Sequence, residues 1–251
     1  MPIIAVPTTA GTAAKVTIDY VLTDKQPART YVGVDSHDIP ILAVLDADMM
    51  AGMPAALKAS TGMAALTHAI EGYTALGAWG LTDALHLKAI EIIAASLPGS
   101  AAGGDAVGER MVLGQYVAGR GFSNVGLGPV HAMAHPLGAF YDAAHGVASA
   151  ILLPHVMAFN AEFAAKKFRD IARAMGVAGT QEMTIERART EAIRAVTALA
   201  TALGTPRSLA DIGAATEDIP ALAAAALADV CAVGNPRPAT LEQIIALYTA
   251  F

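Results

Sequence analysis

The sequence predicts a mainly α-helical chain that opens with a short strand-rich segment. From Pro54 onward the apolar residues recur at helical spacing, whereas residues 1–50 hold short β-branched runs separated by turn residues. Hydrophobic residues make up 55% of the 251 residues but aromatic residues only 5%, so alanine and aliphatic side chains must form the interior. Ala-rich apolar segments favour helices. We therefore divide the chain into two predicted domains, residues 1–50 and residues 51–251.

The strand-rich segment is expected to be the edge of a larger sheet. Four strands without an intervening helix are too few for a complete doubly wound nucleotide-binding sheet. The predicted strands are residues 3–6, 16–22, 31–34 and 41–45. The main predicted helices are residues 81–97, 111–117, 147–159, 163–175, 184–203 and 220–233, followed by a helix that begins at the capping-box pattern of Thr240 and Gln243.

Charge and cysteine content exclude several classes of protein. With 16 basic and 22 acidic residues the net charge is −6, which leaves no basic surface for nucleic acid or for an anionic membrane. Cys231 is the single cysteine, so the chain forms no internal disulfide, and we expect a cytoplasmic location. No apolar run reaches the roughly 18 residues that a membrane helix needs. The N-terminus lacks a signal-peptide pattern, because Lys15 follows the apolar stretch.

Three histidines in one stretch of the chain indicate a metal site. His131 and His135 are four residues apart and share a face if they lie on a helix, which Pro136 and Gly138 are expected to end. His145 follows a short loop and opens the next apolar helix. Imidazole binds Zn, Fe, Ni and Cu. A polar loop with structural histidines fits the same spacing.

The remaining histidines are weaker candidates. His68 lies in the segment Leu-Thr-His-Ala-Ile-Glu-Gly-Tyr of residues 66–73, and alone it would be a core or surface residue. We expect structural roles for the three isolated histidines, His37, His86 and His155.

Taken together, four segments resemble the iron-containing alcohol dehydrogenases. They are Pro-Thr-Thr-Ala-Gly-Thr-Ala-Ala at residues 7–14, the His68 segment, Gly-Phe-Ser-Asn-Val-Gly-Leu-Gly at residues 121–128, and the spacing of His131, His135 and His145. The resemblance covers nearly the whole chain and corresponds to the C-terminal two thirds of that family. It implies the dehydroquinate synthase-like fold, with an α/β nucleotide-binding domain, an all-helical domain and a site in the cleft between them.

The resemblance also implies roles for residues. His68, His131 and His145 match metal ligands, His135 matches a candidate proton shuttle, and Thr8, Thr9 and Thr12 match the loop that contacts the nicotinamide cofactor. The implied reaction is hydride transfer between NAD(P) and a small alcohol or aldehyde, such as 1,2-propanediol or lactaldehyde. A divalent metal, Fe or Zn, polarises the substrate oxygen. We expect a homo-oligomer.

The chain departs from the family pattern in four ways. Ala64 stands where the family has an aspartate ligand, Lys15 replaces an acidic residue, and Thr30 replaces a lysine near the cofactor. The Gly-rich phosphate-binding segment has no counterpart, so residues 1–50 are interpreted as a remnant of the nucleotide-binding domain with weakened NAD(P) binding. Loss of the carboxylate should weaken ferrous iron more than zinc. Glu71, one turn after His68, could reach back to the metal, but we interpret it as a carboxylate on the helix surface.

Three hypotheses remain open at this stage. The chain is an alcohol dehydrogenase, or a truncated and non-catalytic helical scaffold that has lost the aspartate ligand and the phosphate-binding segment. A metal-binding or hydrolytic domain with three histidine ligands is the third.

Overall fold

A computed structural model describes residues 2–24, 29–104 and 108–250 of the chain. In these residues the fold is mainly helical, as predicted. Most of the connection between the predicted strands at residues 16–22 and 31–34 lies outside the described residues, as does the side chain of Thr30. The strands are β1 (Ile4–Ala5), β2 (Asp19–Asp24), β3 (Arg29–Val34) and β4 (Leu42–Ala43). The helices are α1 (Asp48–Ala51), α2 (Ala55–Thr74), α3 (Gly80–Ala101), α4 (Gly108–Phe122), α5 (Pro129–Tyr141), α6 (His145–Asn160), α7 (Ala165–Ala174), α8 (Ile185–Ala202), α9 (Ile219–Leu227) and α10 (Leu241–Thr249).

The strands form two separate two-stranded sheets. β1 pairs with β4 in parallel, and β2 pairs with β3 as an antiparallel hairpin in which Asp19 lies opposite Val34. β2 begins three residues later than predicted, because the chain turns at Ala13 (φ 64°) and the Val16 amide donates to the Ala13 carbonyl. The sheets leave large apolar side chains in contact with solvent: Ile4 is 62% exposed, Leu22 60% and Ile41 74%.

Helix α2 lies at the centre of the helical part. It packs against α3, α4, α6 and α7. From Ala59 to Thr74 every residue except Thr61 is buried. Small residues allow the close approach: a Cβ on Gly62 would lie 2.2 Å from Leu97 Cδ1 of α3. The side chains of α2 therefore face the interior in nearly all directions.

Prolines do not end the helices where the sequence predicts. The expected ends at Pro98 and Pro136 are wrong, because α3 continues to Ala101 and α5 to Tyr141. Leu137, directly after Pro136, is fully buried in the core, and this packing offsets the helix-breaking effect of proline. α5 ends where Asp142 adopts a left-handed conformation (φ 53°). The capping box of Thr240 and Gln243 at the start of α10 is confirmed.

No helix among the described residues is long and apolar enough to cross a membrane.

Candidate metal centre

Three helices bring three histidines together. His68 lies on α2, His131 in the first turn of α5, and His145 is the first residue of α6. Each offers a ring nitrogen, and these nitrogens lie within 4.8 Å of one another. The His68 and His131 rings stack with centroids 4.6 Å apart, and those of His131 and His145 are 5.0 Å apart. The imidazoles thus converge on one point, at one wall of a cleft of about 670 Å³.

The sequence after His145 explains why this histidine reaches the site. A Cβ on Gly146 would lie only 2.2 Å from the Ser60 carbonyl oxygen of α2. Only glycine therefore lets the start of α6 lie this close to α2. Asp142 reverses the chain between α5 and α6, so that His131 and His145 face each other across a three-residue connection.

Glu71 on α2 holds His131, one of the three histidines, in place. It is 5% exposed, and its Oε2 lies 2.6 Å from His131 Nδ1. The same carboxylate accepts the backbone N–H groups of Gly128 (3.2 Å), Val130 (2.7 Å) and His131 (3.4 Å). It therefore caps the start of α5, where Gly128 offers no side chain. The sequence-based interpretation of Glu71 as a surface carboxylate is wrong, since α2 is buried on this face as well.

Two ring nitrogens of the three histidines are left without a hydrogen bond among the described residues, and such nitrogens can bind a metal. A carboxylate on Nδ1 holds the His131 ring so that Nε2 points away, and His131 Nε2 and His68 Nδ1 are buried without a hydrogen-bond partner among the described residues. Burial, reinforced by the charge of His131, keeps the pKa of His68 and of His145 well below the ordinary value. Neutral imidazole is the form that binds metals. The three residues therefore fit a divalent metal with three nitrogen ligands and an open position.

No carboxylate completes this group in the described part of the chain. Ala64 is buried on α2 one turn before His68 and carries no donor atom. The carboxylate of Glu71 already accepts hydrogen bonds from backbone N–H groups at the start of α5. The candidate ligand set is therefore His68, His131 and His145.

His135 lies beside this group and has a carboxylate partner. It is one turn beyond His131 on α5, and its ring centroid lies 5.6 Å from that of His145. Its Nδ1 is 2.8 Å from Asp229 Oδ2. Asp229 is itself fixed because its Oδ1 accepts the backbone N–H of Cys231 at 2.8 Å. Burial opposes the ionisation of Asp229, but the hydrogen bond and charge of His135 outweigh it and lower the pKa.

His135, Asp229 and Cys231 form a second convergent set, with one ligand atom from each within 4.8 Å of the others. Burial, together with the charge of Asp229, raises the pKa of the Cys231 thiol. Without a metal the thiol therefore stays protonated. Two of the three members of this set, His135 and Asp229, are also hydrogen-bonded to each other.

The loop of Thr8, Thr9 and Thr12 contacts α2, since a Cβ on Gly11 would lie 2.9 Å from Thr61 Cβ. Thr12 lines the same cleft as the histidines, Thr9 lines an adjoining cavity, and Thr8 lines neither. Phe122, at the end of α4, stacks on His68 with ring centroids 4.4 Å apart and closes one side. Lys15 follows the loop and is 3% exposed. Burial lowers the pKa of its amine to about 7.

Comparison with known proteins identifies the chain. The model of the Fe-containing alcohol dehydrogenase family, C-terminal part, matches residues 58–251. The chain belongs to the iron-containing alcohol dehydrogenase family. The resemblance predicted from the motifs is therefore confirmed.

Relatives within the iron-containing alcohol dehydrogenase family are similar over nearly the whole chain. Lactaldehyde reductase of Escherichia coli K12 is 65% identical over 248 residues, which is 99% of this chain and 65% of that protein. 1,3-Propanediol dehydrogenase of Klebsiella pneumoniae is 43% identical over 98% of this chain and 64% of its own length. The chain thus spans 65% of the length of the first of these relatives and 64% of the second.

Solved structures of the family have the same fold. A crystal structure of 1,3-propanediol oxidoreductase superposes with a TM-score of 0.95 at 42% identity, covering 99% of this chain and 65% of that one. The alcohol dehydrogenase from Oenococcus oeni gives a TM-score of 0.96 at 37% identity, with the same coverage.

Proposed function

We propose that this chain provides the metal-binding wall of an oxidoreductase site. Hydride passes there between NAD(P) and a small alcohol or aldehyde, such as 1,2-propanediol or lactaldehyde. The observation that carries the proposal is the convergence of three imidazoles, two of which have a buried ring nitrogen without a hydrogen-bond partner among the described residues. The names of the relatives support the substrate class, since they include a lactaldehyde reductase and a 1,3-propanediol dehydrogenase.

In this proposal His68, His131 and His145 hold a divalent metal, Zn or Fe. A metal bound there would act as a Lewis acid on the substrate oxygen. The chain contributes the geometry: Glu71 fixes the His131 ring, and Phe122 covers a face of His68 and keeps water from it.

His135 is proposed to move the proton that accompanies hydride transfer. Reduction of an aldehyde needs one hydride on carbon and one proton on oxygen. The Asp229 carboxylate accepts the Nδ1 proton of His135 in a hydrogen bond, which leaves Nε2 to exchange a proton on the cleft side. Asp229 is therefore a positioning residue for His135.

Thr12 and Thr9 are proposed to contact the nicotinamide cofactor, because Thr12 lines the cleft that holds the histidines and Thr9 lines the cavity beside it. Thr8, which lines neither, is proposed to shape the loop. The cofactor itself supplies the hydride.

A non-catalytic helical scaffold is the second candidate, and Ala64 favours it. The site has three candidate protein ligands instead of four, and a buried lysine follows the threonine loop. Such a scaffold would retain the fold and a weak metal site but would not turn over substrate.

The test combines metal content with turnover. Wild type, His131→Ala and the exposed control His37→Ala are loaded with Zn²⁺ or Fe²⁺, and NADH oxidation is followed with and without lactaldehyde. We expect one bound metal and aldehyde-dependent oxidation in wild type and His37→Ala, and neither in His131→Ala. Metal binding without turnover would favour the scaffold. Wild type that binds no metal would contradict both candidates.

A further inference from the structure

Lys15 is a buried amine that makes no hydrogen bond within the part of the chain that the structure describes. The residue is 3% exposed, and its Nζ has no partner among the described residues. An ammonium group buried without a counter-ion is costly, so burial favours the neutral amine. Its pKa accordingly falls to about 7. Nothing in the proposed reaction uses this amine.

Helix α4 holds the segment around Lys15 in place. Before Lys15, Gln115 Nε2 donates to the Gly11 carbonyl at 3.3 Å. After it, the Ile18 amide donates to Ser123 Oγ at 3.1 Å, directly beyond the end of α4. The backbone that carries the amine is therefore tied to α4 on both sides of Lys15.

The neighbours of Lys15 in the sequence are apolar and tightly packed. Ala13 and Val16 are buried in a small apolar cluster with Phe122. A Cβ on Gly119 of α4 would lie only 2.4 Å from Ala13 Cβ, so the segment lies directly on the helix. This packing keeps the amine away from bulk water.

Lys15 lines a cavity of about 670 Å³ next to the histidine cleft. Thr12, Thr17 and Asp19 line both spaces, so the two are neighbours. Asp38 is the second acidic residue in the lining of the cavity, but neither carboxylate makes a hydrogen bond to Nζ. A small aldehyde that enters the cleft can therefore pass to the cavity wall that holds Lys15.

We propose that Lys15 is a carbonyl-reactive lysine that forms an imine with small aldehydes in this cavity. The neutral amine is the nucleophilic form of lysine, and desolvation in an apolar pocket activates lysines that form imines. The nitrogen lone pair forms the C–N bond, and the carbonyl oxygen leaves as water with the two nitrogen protons. No oxidant or reductant takes part, and water reverses the step. The site goes beyond the proposed hydride transfer and needs neither a metal nor a nicotinamide cofactor.

Reductive trapping tests the proposal on the full wild-type chain. The protein is treated with propanal and cyanoborohydride at about pH 7 with a chelator present, and labelled lysines are identified by peptide mass spectrometry. At that pH an exposed lysine is almost entirely protonated, whereas an amine with a pKa of about 7 is about half neutral. We expect Lys15 to gain a propyl group at least about tenfold faster than Lys88, which is exposed on α3.

Two controls separate the effect of the fold from that of the local sequence. In urea, Lys15 and Lys88 should be labelled at similar rates, because both amines are then solvated. Lys15→Met removes the amine but nearly keeps the volume, and it should lose the fast label, whereas Lys88→Met should keep it. If Lys15→Met does not fold, the two lysines of folded wild type still provide the comparison.

The outcomes separate this proposal from the proposed function. Labelling of Lys15 in folded wild type that is no faster than that of Lys88 would overturn the imine site and leave the metal site untouched. A fast label that persists in urea would also overturn it, because burial would not be its cause. Fast labelling confined to the folded chain supports the imine site even if wild type binds no metal.

Discussion

The Glu71 carboxylate and the His131 imidazole form a buried pair, with Oε2 and Nδ1 2.6 Å apart. The pair joins α2 to α5. The carboxylate also has two roles. It orients the His131 ring, and it accepts the backbone N–H groups of Gly128 and Val130 at the start of α5. The proposed metal site and the start of this helix are thus built from one side chain.

Glu71→Gln tests this double role. The amide has one acceptor oxygen in place of two and presents an N–H₂ group to donors, so His131 loses its fixed orientation. We expect metal affinity to fall by about 10–100-fold, as for the loss of other partners of ligating histidines. The exposed control Glu91→Gln should bind metal like wild type. Unchanged affinity in Glu71→Gln would mean that the ring is held by packing alone.

Gly146→Ala tests the close approach of α6 to α2. The added Cβ would lie 2.2 Å from the Ser60 carbonyl oxygen, so the helices must separate. We expect a loss of about 1–3 kcal/mol in the free energy of unfolding, as for other overpacked sites, together with weaker metal binding as His145 moves. Gly80→Ala, whose Cβ would meet nothing within 4 Å, is the control and should be neutral or slightly stabilising. Urea unfolding of the three proteins measures the difference.

His86→Leu tests the buried histidine between α2 and α4. A Cβ on Gly72 or on Gly121 would lie 2.3 Å from His86 Nε2, which shows how tightly the ring is enclosed. Burial, and secondarily the charge of Lys167, lowers the pKa of His86 from 6.5 to about 4.

The sign of the pH effect follows from that lowered pKa. Above pH 6.5 the ring is neutral in both states, whereas between pH 6.5 and 4 the unfolded chain takes up a proton that the folded chain excludes. His86 should therefore lower the free energy of unfolding by up to about 3 kcal/mol over that interval. The free energy of unfolding of His86→Leu should fall less on acidification than that of wild type. The exposed control His37→Leu should lose as much as wild type. Equal acid sensitivity of wild type and His86→Leu would show that the ring is solvated.

Self-association is expected from the strand segment. Leu22 and Ile41 are among its exposed apolar residues, and both two-stranded sheets have open edges. Wild type should be dimeric or larger by light scattering, and Leu22→Glu with Ile41→Glu should shift it towards monomer. Leu76→Glu with Leu81→Glu changes exposed residues outside the strands and should not. A wild-type monomer at all concentrations would contradict this expectation.

The helical class and the clustering of histidines could be predicted because their signals are local. Helical periodicity and the spacing of His131, His135 and His145 lie within single stretches of sequence. The hydrogen-bond partners of these histidines could not be predicted from the sequence, because Glu71 lies 60 residues from His131 and Asp229 lies 94 residues from His135. Nothing in the local sequence around Glu71 marks it as buried.

Helix ends are harder to predict than helix positions. Proline is a local signal for a helix end, but Leu137 packs into the core and holds α5 together beyond Pro136. Tertiary packing therefore decides the outcome against local propensity. The position of Lys15 after the threonine loop is visible in the sequence, whereas its burial depends on the fold.

The most direct test of the account is X-ray absorption spectroscopy of the zinc-loaded chain. Three imidazoles from His68, His131 and His145 should give nitrogen scatterers at about 2.0–2.1 Å, with the outer-shell pattern of three rings and no sulfur. Replacing His68 with alanine should remove one ring from that pattern. A sulfur scatterer at about 2.3 Å would instead assign the metal to Cys231 and its neighbours, and would contradict the three-histidine site.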